Sequence, residues 1–229
     1  MSFNSRLPSS AQSGVHEHLP LLLERHRHAP FRKPYADYNR EAFAVSMARR
    51  ERHAPRAPLI LDAGCGVGES SIFLARAFPE HYVIGVDQSA SRLARRIAGK
   101  AGGLPENLDL VRADLVDYWR LLGEAGIRLD RHYLLYPNPW PKIGHLARRW
   151  HGHPVFPSLL ALGGRLECRS NWQIYVEEFC LAVRALTGLD VQCERLTPEM
   201  LEAQGGPQTP FERKYRDSGH ALWRAVISL

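Results

Sequence analysis

The chain has 229 residues, of which 45% are hydrophobic and 24% are charged, as in ordinary globular proteins. No apolar run approaches the roughly 20 residues of a membrane-spanning helix, and the N-terminus lacks the apolar stretch of a secretory signal, so we expect a cytoplasmic protein without a membrane partner. The net charge of +6 is compatible with a nucleic-acid partner, whereas four scattered cysteines without Cys-x-x-Cys spacing argue against a metal site or a disulfide framework.

Residues 1–55 are predicted to form a basic, His-rich extension. Its first 36 residues or so are rich in Ser, Pro, His and Arg without sustained periodicity, which favours a solvated, partly ordered arm. Four histidines raise the alternative of a metal site, but prolines interrupt them and no carboxylate or cysteine pattern supports them. A helix is predicted from Asp37 to His53, and the Pro-containing segment 54–58 ends it.

From residue 59 onward, short apolar segments of strand length alternate with helical segments. The predicted strands are 59–61, 82–86, 108–113, 129–136, 165–168, 191–196 and 221–228. The predicted helices are 70–78, 89–97, 115–125, one within 145–162, and 172–186. This alternation predicts a single α/β domain over residues 56–229, with a mostly parallel, doubly wound sheet of about seven strands and helices on both faces.

A glycine-rich loop, Asp-Ala-Gly-Cys-Gly-Val-Gly, follows the first predicted strand at residues 62–68. Its glycines, Gly64, Gly66 and Gly68, allow a tight turn and a close approach of the backbone to a ligand. Such a loop also occurs in NAD-binding folds. However, Asp62 at the end of the strand would repel a phosphate and attract an ammonium group, which favours a methionine-containing cofactor.

Two more carboxylates end the next two predicted strands. Asp87 is suited to accept hydrogen bonds from both hydroxyls of a ribose, and Asp114 is suited to accept one from an adenine amine. The alternative is that each carboxylate caps the helix that follows it. With Asp62, the three carboxylates line the carboxyl edge of the predicted sheet and favour S-adenosylmethionine as the cofactor.

Three further motifs follow in the second half of the chain. They are Tyr136-Pro137-Asn138-Pro139-Trp140-Pro141-Lys142 with a His- and Arg-rich continuation, Ser170-Asn171-Trp172, and Thr209-Pro210-Phe211-Glu212. Together with the glycine loop, in this order and spacing, they resemble the tRNA (guanine-N7)-methyltransferases from about residue 59 to the end. The resemblance implies a Rossmann-like class I methyltransferase domain over residues 56–229, and methyl transfer from S-adenosylmethionine to N7 of guanine in tRNA.

The same resemblance assigns roles to individual residues. Those expected to bind the cofactor are Asp62, Gly64, Gly66, Gly68, Asp87, Asp114 and Asn138. Those expected to bind the substrate are Lys142, Arg148, Arg149, Asn171, Thr209 and Glu212. Asn138 and Lys142 are expected to lie at the reacting base as catalytic groups. The expected partner is tRNA or another structured RNA, no metal is expected, and a monomer is favoured over a homodimer.

Asn138 and Asn171 stand where the family's motifs carry carboxylates. Guanine presents an N1–H and an exocyclic amine as donors, and a carboxylate accepts from both, whereas Asn offers one acceptor and one competing donor. N7 is a neutral lone pair that needs no general base, so alignment with the methyl group still permits the reaction. The two asparagines leave open a changed base, a changed RNA or a weakened activity.

Other interpretations remain open for the substrate residues. Residues 142–153 contain six basic or His side chains and no acidic one, which favours phosphate binding, with Trp140 or Trp150 as a stacking face. The alternative is a solvated helix face with a buried Trp anchor. Thr209 and Glu212 fit either a loop that closes over the base or a helix capping box.

Two rival functions stay open. The first is a methyltransferase that acts on a small molecule or a protein, for which the basic segment would be dispensable. The second is an RNA-binding relative that keeps the fold without the chemistry. The Pro-Asn-Pro-Trp order at residues 137–140 also differs from the Asn-Pro-Pro-aromatic motif of enzymes that methylate exocyclic amines, which makes that class a minor alternative.

Overall fold

The computed structural model describes residues 7–97 and 103–229, so residues 1–6 of the predicted arm lie outside the described chain. The chain divides into two compact units. The glycine-loop unit comprises Lys33–Leu135, Ala161–Leu166 and Leu229. The motif unit comprises the described residues of Met1–Arg32, together with Tyr136–Leu160 and Glu167–Ser228. The domain boundary expected at residue 55 stays a prediction.

The described residues form helices and strands in alternation. The helices are α1 (Leu19–His28), α2 (Asp37–His53), α3 (Glu69–Ala77), α4 (Ala90–Ile97), α5 (Leu115–Glu124), α6 (Phe156–Ala161), α7 (Gln173–Thr187), α8 (Pro198–Ala203) and α9 (Pro210–Asp217). The strands are β1 (Leu59–Ala63), β2 (Tyr82–Asp87), β3 (Leu108–Arg112), β4 (Arg131–Leu135), β5 (Arg165–Ser170), β6 (Glu194–Leu196) and β7 (Leu222–Ser228). Two short 3-10 helices are Ile143–Arg148 and Trp150–Gly152.

The seven strands are ordered β3-β2-β1-β4-β5-β7-β6 in one sheet. β1 pairs in parallel with β2 and with β4, and β2 pairs in parallel with β3. β6 pairs antiparallel with β7. The predicted mostly parallel α/β sheet of about seven strands is therefore confirmed. The strand order reverses beside β1, and ligands of such sheets bind at the carboxyl ends of the strands at this point.

In the glycine-loop unit, β1 and β2 are buried along their whole length, as is typical of apolar strands in a parallel sheet. Helix α2 has the predicted bounds and carries one buried amide, Asn39. This amide donates to Asp117 over 2.6 Å and accepts from the Asp114 backbone N–H over 2.9 Å. Asn39 therefore fixes the turn that follows β3, where one of the predicted cofactor carboxylates lies.

In the motif unit, the expected solvated arm is wrong for residues 19–28, which form α1. Leu19, Leu23 and His26 are buried at helical spacing, and α1 packs against α7. Only two of these three buried positions are apolar, and the second half of the helix, residues 24–28, consists of charged and His residues. The available signal for α1 was the spacing of 4 and 3 residues between Leu19, Leu23 and His26. The many prolines, histidines and charged residues around it made this spacing hard to recognise.

The basic segment also folds differently from the single helix predicted within 145–162. It forms the two 3-10 helices and then α6, because Gly144, Gly152 and Pro154 interrupt a longer helix. A Cβ atom at Gly152 would collide with the backbone carbonyl of Leu146, so this close chain crossing requires glycine. No helix in residues 7–97 and 103–229 has the length and apolar character needed to cross a membrane.

Candidate cofactor site and substrate motifs

The glycine loop turns from β1 into α3 through three glycines with positive φ angles, Gly64 at 81°, Gly66 at 60° and Gly68 at 76°. The backbone N–H of Gly64 donates to the Val86 carbonyl of β2 over 2.8 Å. A Cβ atom at Gly64 or Gly66 would have no atom within 4 Å, whereas one at Gly68 would lie 2.9 Å from Leu110. The first two glycines therefore border open space that a ligand can approach, and Gly68 is required for packing.

Asp62 is the last residue but one of β1, and its side chain is almost fully buried, at 1% exposure. Its Oδ2 atom accepts hydrogen bonds from the hydroxyls of Ser70 and Ser71 in α3, each over 2.6 Å. Burial raises the pKa of Asp62 to about 6, the two hydroxyl bonds oppose this shift, and the nearby Asp87 adds to it. A cation next to this carboxyl group would stabilise its charged form, which matches the ammonium of a methionine moiety.

Asp87 connects β2 to the glycine loop. Its Oδ2 atom accepts from the Gly66 backbone N–H over 3.0 Å and from the Arg92 guanidinium over 3.1 Å, and its Oδ1 atom accepts from the Ser89 backbone N–H over 2.8 Å. The buried carboxylate thus holds the loop and the start of α4 together. Arg92, about half exposed, was not predicted as part of this site, and its position in the first turn of α4, five residues after Asp87, is the available signal for it.

Asp114 caps α5, because its Oδ1 atom accepts from the Val116 backbone N–H over 2.9 Å. The helix-capping alternative is therefore realised for one oxygen of this carboxylate. A role for Asp114 toward adenine stays a prediction. Its turn is fixed by Asn39, a buried residue that sequence reasoning did not single out.

In the motif unit, the segment from Tyr136 to Trp140 has an uncommon backbone. Tyr136 and Trp140 have φ angles of 52° and 46°, in the left-handed region that bulky residues rarely adopt. Asn138 lies exposed between them, and its Oδ1 atom accepts from the Trp140 backbone N–H over 3.4 Å. Strained backbone of this kind concentrates at functional sites, where surrounding contacts hold it in place.

Two of the predicted phosphate ligands, Lys142 and Arg148, are exposed. The Arg148 guanidinium lies 4.9 Å from the centre of the Trp140 ring, and His145 meets the same ring edge-to-face at 5.4 Å. A base that stacked on this face of Trp140 would have to replace Arg148. Both cations stay predicted RNA contacts.

The structure contradicts the role predicted for the neighbouring Arg149, because its side chain is fully buried. Its Nη1 atom donates to Glu178 Oε2 over 2.6 Å, and its Nε atom donates to the Trp140 carbonyl over 3.2 Å. Glu178 Oε2 also bonds to His151 over 2.8 Å. Arg149 therefore holds the segment from Tyr136 to Trp140 from its buried side, through the Trp140 carbonyl. It does not bind a phosphate at the surface.

The other oxygen of Glu178 holds the N-terminal segment. Glu178 Oε1 accepts from the Gln12 side-chain amide over 2.5 Å and from the His16 backbone N–H over 2.9 Å. The Gln12 carbonyl oxygen accepts in turn from Arg149 over 3.0 Å. Burial on its own would raise the pKa of Glu178, but the bonds to His151 and Arg149 outweigh it and lower the pKa to about 2. We call Gln12, Arg149, His151 and Glu178 the Glu178 cluster.

Thr209 and Glu212 are explained by the capping alternative and a buried ion pair. Thr209 Oγ1 accepts from the Glu212 backbone N–H over 2.9 Å and so caps α9. Glu212 is fully buried, and its Oε1 atom accepts from the Tyr136 hydroxyl over 2.7 Å and from Arg169 over 2.8 Å. Its Oε2 atom accepts from the Gln208 backbone N–H over 2.7 Å. Glu212 thus positions Tyr136 from within the protein, and its predicted contact with the substrate stays a prediction.

Asn171 follows β5 and is 7% exposed. Its Nδ2 atom lies 3.3 Å from Nδ1 of His220, whose ring stacks on Tyr215. The motif unit therefore brings Asn171 into contact with the segment after α9. Its predicted contact with the base stays a prediction. In residues 7–97 and 103–229, no group of three or more His, Cys, Asp or Glu side chains could hold a metal ion.

Comparison with known proteins agrees with this fold. Residues 56–225 match the family model described as "Putative methyltransferase". An antibiotic-related methyltransferase structure aligns over 86% of this chain and 97% of its own, with a TM-score of 0.57 and 14% identity. The 16S rRNA methyltransferase KamB aligns over 86% and 96%, with a TM-score of 0.55 and 20% identity. The chain is an S-adenosylmethionine-dependent methyltransferase with the Rossmann-like fold.

Sequence relatives narrow this class. The tRNA (guanine-N7)-methyltransferase of Acinetobacter baylyi is 30% identical over 193 residues, covering 79% of this chain and 74% of the relative. That of Saccharophagus degradans is 30% identical over 206 residues, covering 86% and 87%. That of Nitrosococcus oceani is 33% identical over 177 residues, covering 73% and 70%. The chain belongs to the tRNA (guanine-N7)-methyltransferase family.

Proposed function

We propose that this protein transfers a methyl group from S-adenosylmethionine to N7 of a guanine in tRNA. The observation that carries the proposal is the exposed Asn138, held between two residues with strained backbones and followed by the exposed cations Lys142 and Arg148. Membership of the family supports the substrate class, and a net charge of +6 suits a polyanionic partner. A tRNA substrate also agrees with the cytoplasmic location that the sequence predicts.

In this proposal the cofactor, when bound, would supply the methyl group of its sulfonium to the N7 lone pair and would leave as the neutral thioether S-adenosylhomocysteine. Asp62 holds the ammonium of its methionine part, Asp87 accepts from the ribose hydroxyls and Asp114 accepts from the adenine amine. The open space beside Gly64 and Gly66 suits a ligand that approaches the backbone closely. Because N7 is neutral, the residues of the chain need only position the base and exclude misaligned geometries, without removing a proton from N7.

On the substrate side, the Asn138 carbonyl oxygen accepts a hydrogen bond from the donor edge of guanine. Lys142 and Arg148 bind the phosphates near the target nucleotide, and Lys142 is the one of the two that lies beside the reacting base. Asn171 orients the base from the segment after β5. These roles rest on the exposed positions of the two cations and of Asn138, and on the matching motifs.

The decisive experiment is incubation of the purified full-length protein with labelled S-adenosylmethionine and total tRNA, followed by mass spectrometry of the nucleosides. We expect labelled 7-methylguanosine in the tRNA. We expect no labelled nucleoside in a control reaction from which the labelled donor is omitted. Label in small molecules or protein, or no label at all, would contradict the proposal.

A second candidate is methylation of a different base. The Asn138 amide is exposed and offers one acceptor and one donor, and this pair matches the amine and ring nitrogen of an adenine edge as well as it matches guanine. In the same experiment, a labelled methyladenosine without 7-methylguanosine would favour this candidate.

We expect Asn138→Asp to raise kcat/KM for guanine methylation by about tenfold, because a charge-assisted hydrogen bond is roughly twice as strong as a neutral one. The measurement is the initial rate at several tRNA concentrations. The exposed amide of Gln173, which bonds only locally to Glu177, provides a control variant, Gln173→Glu, with no expected change. Unchanged or lower activity of Asn138→Asp would show that Asn138 is not a weakened acceptor for guanine.

A further inference from the structure

Helix α9 and the turn after it carry a stack of three aromatic rings. The Tyr215 ring lies 6.1 Å from Phe211 at an interplanar angle of 29°, and 5.4 Å from His220 at 14°. Phe211, at the outer end, is 54% exposed. We call Phe211, Tyr215 and His220 the aromatic stack. A large aromatic side chain that is exposed at the end of an ordered stack leaves apolar surface in water, where a planar ligand could cover it.

The surface of α9 is positively charged. Arg213, Lys214 and Arg216 are all exposed, while Glu212 is buried and paired with Arg169. Asp217 offsets one charge by pairing with Arg216 over 2.9 Å. The exposed part of α9 thus combines an aromatic end with a net cationic surface. This combination is the one that proteins use for unpaired nucleotides, with rings for the bases and cations for the phosphates.

The aromatic stack is also joined to the two motif segments that carry asparagine. The Tyr215 ring lies 5.7 Å from the ring of Tyr136, which begins the segment containing Asn138. His220 lies against Asn171. All of these residues belong to the motif unit. A nucleotide bound at the stack would therefore lie on the same unit as the residues proposed to recognise the target base.

We propose that the aromatic stack is a binding platform for an unpaired nucleotide of the RNA substrate, with Phe211 as the stacking face and Lys214 as a phosphate ligand. The proposal rests on the proposed function in assuming an RNA substrate. It extends that function to Phe211, a position inside the Thr209–Glu212 motif for which no role was predicted, and to Tyr215 and His220, which lie after the motif. Guanine or adenine would stack best because a purine has the larger ring surface.

The test is the affinity of the full-length protein for tRNA at fixed salt, measured by filter binding. We expect Phe211→Leu to weaken binding by about tenfold, because leucine keeps apolar volume without a stacking face. Phe211→Tyr should bind as the unchanged protein does, since it keeps the ring. Leu189→Ala, at another exposed apolar position of the motif unit, should also leave binding unchanged.

Two further readouts separate stacking from loss of fold. A short single-stranded RNA containing 2-aminopurine should lose fluorescence on binding to the unchanged protein and to Phe211→Tyr, but less on binding to Phe211→Leu. Lys214→Gln should reduce the slope of log affinity against log salt by about one. Affinity for S-adenosylmethionine should be the same for all variants.

Equal tRNA binding by Phe211→Leu and the unchanged protein would overturn the platform, even if tRNA is methylated. Weakened binding by Phe211→Leu would support the platform, even if no 7-methylguanosine forms and the proposed function fails. No measurable tRNA binding by the unchanged protein would overturn the platform.

Discussion

Replacement of Asp62 by Ala is expected to weaken S-adenosylmethionine binding by at least about 100-fold, because it would remove the buried carboxylate that we propose accepts a charged hydrogen bond from the ammonium of the ligand. Isothermal titration calorimetry measures this loss directly. Since Ser70 and Ser71 also lose their common acceptor, thermal unfolding of each variant must show that the fold is retained. Glu69→Gln, at the first position of α3, is a control on the same helix with no expected loss of affinity.

The raised pKa of Asp62 adds a pH dependence to this prediction. Cofactor binding requires the charged carboxylate, so affinity should fall by about tenfold per pH unit below about pH 6, where Asp62 becomes protonated. Asp62→Asn should bind weakly without this slope. The stability of the protein without ligand depends on pH with the opposite sign, because Asp62 holds its proton more tightly in the folded protein than in the unfolded chain. That stabilisation is complete below about pH 4 and is lost as the pH rises through about 6.

An equal pH slope in the unchanged protein and in Asp62→Asn would mean that another group controls binding.

Glu178→Ala is expected to lower the free energy of unfolding by about 3–5 kcal/mol, because Arg149 would remain buried without its charge partner. Urea denaturation monitored by circular dichroism measures this change. The double variant Arg149→Met/Glu178→Met should recover part of the loss, since no unpaired charge stays buried, whereas Gln12, His16 and His151 still lose their common partner. Glu177→Gln, one position earlier and not buried, should stay within about 0.5 kcal/mol of the unchanged protein.

A second signature of the Glu178 cluster is sensitivity to acid. The folded pKa of Glu178 lies at about 2, below its ordinary value of 4.5, so its contribution to stability is present above about pH 4.5 and is lost as the pH falls toward 2. Glu178→Gln should remove this part of the acid transition. If the single and double variants were equally unstable, packing and not the buried charge would explain the loss.

The strands and the glycine loop were predictable because their signals are local. Apolar runs of strand length identify β1 to β3, and a glycine is required wherever φ is positive, as at Gly64 and Gly66. The bounds of α2 were predicted to the residue. Helices α1 and α8 were missed because each is short and becomes stable only when its few apolar residues pack elsewhere.

The substrate side was predictable only as a set of residue types. Arg148 and Arg149 are adjacent and chemically identical in the sequence, yet one is exposed and the other is completely buried. Nothing within a few residues distinguishes them, because the partner of Arg149 is Glu178, 29 positions away. Glu212 is a similar case, since its partners Tyr136 and Arg169 are distant in the chain.

The sequence by itself thus determined the class of fold, the glycine loop that follows β1, and the family to which the motifs belong. These properties follow from periodicity, glycine conformation and the order of short motifs, and each of these signals involves residues that are close together in the sequence. Only the tertiary structure decided which cations are exposed and which carboxylates are buried and paired with arginines. It also decided that Phe211 lies at the exposed end of an aromatic stack. Burial and pairing depend on contacts between residues far apart in sequence, and the folded chain alone specifies those contacts.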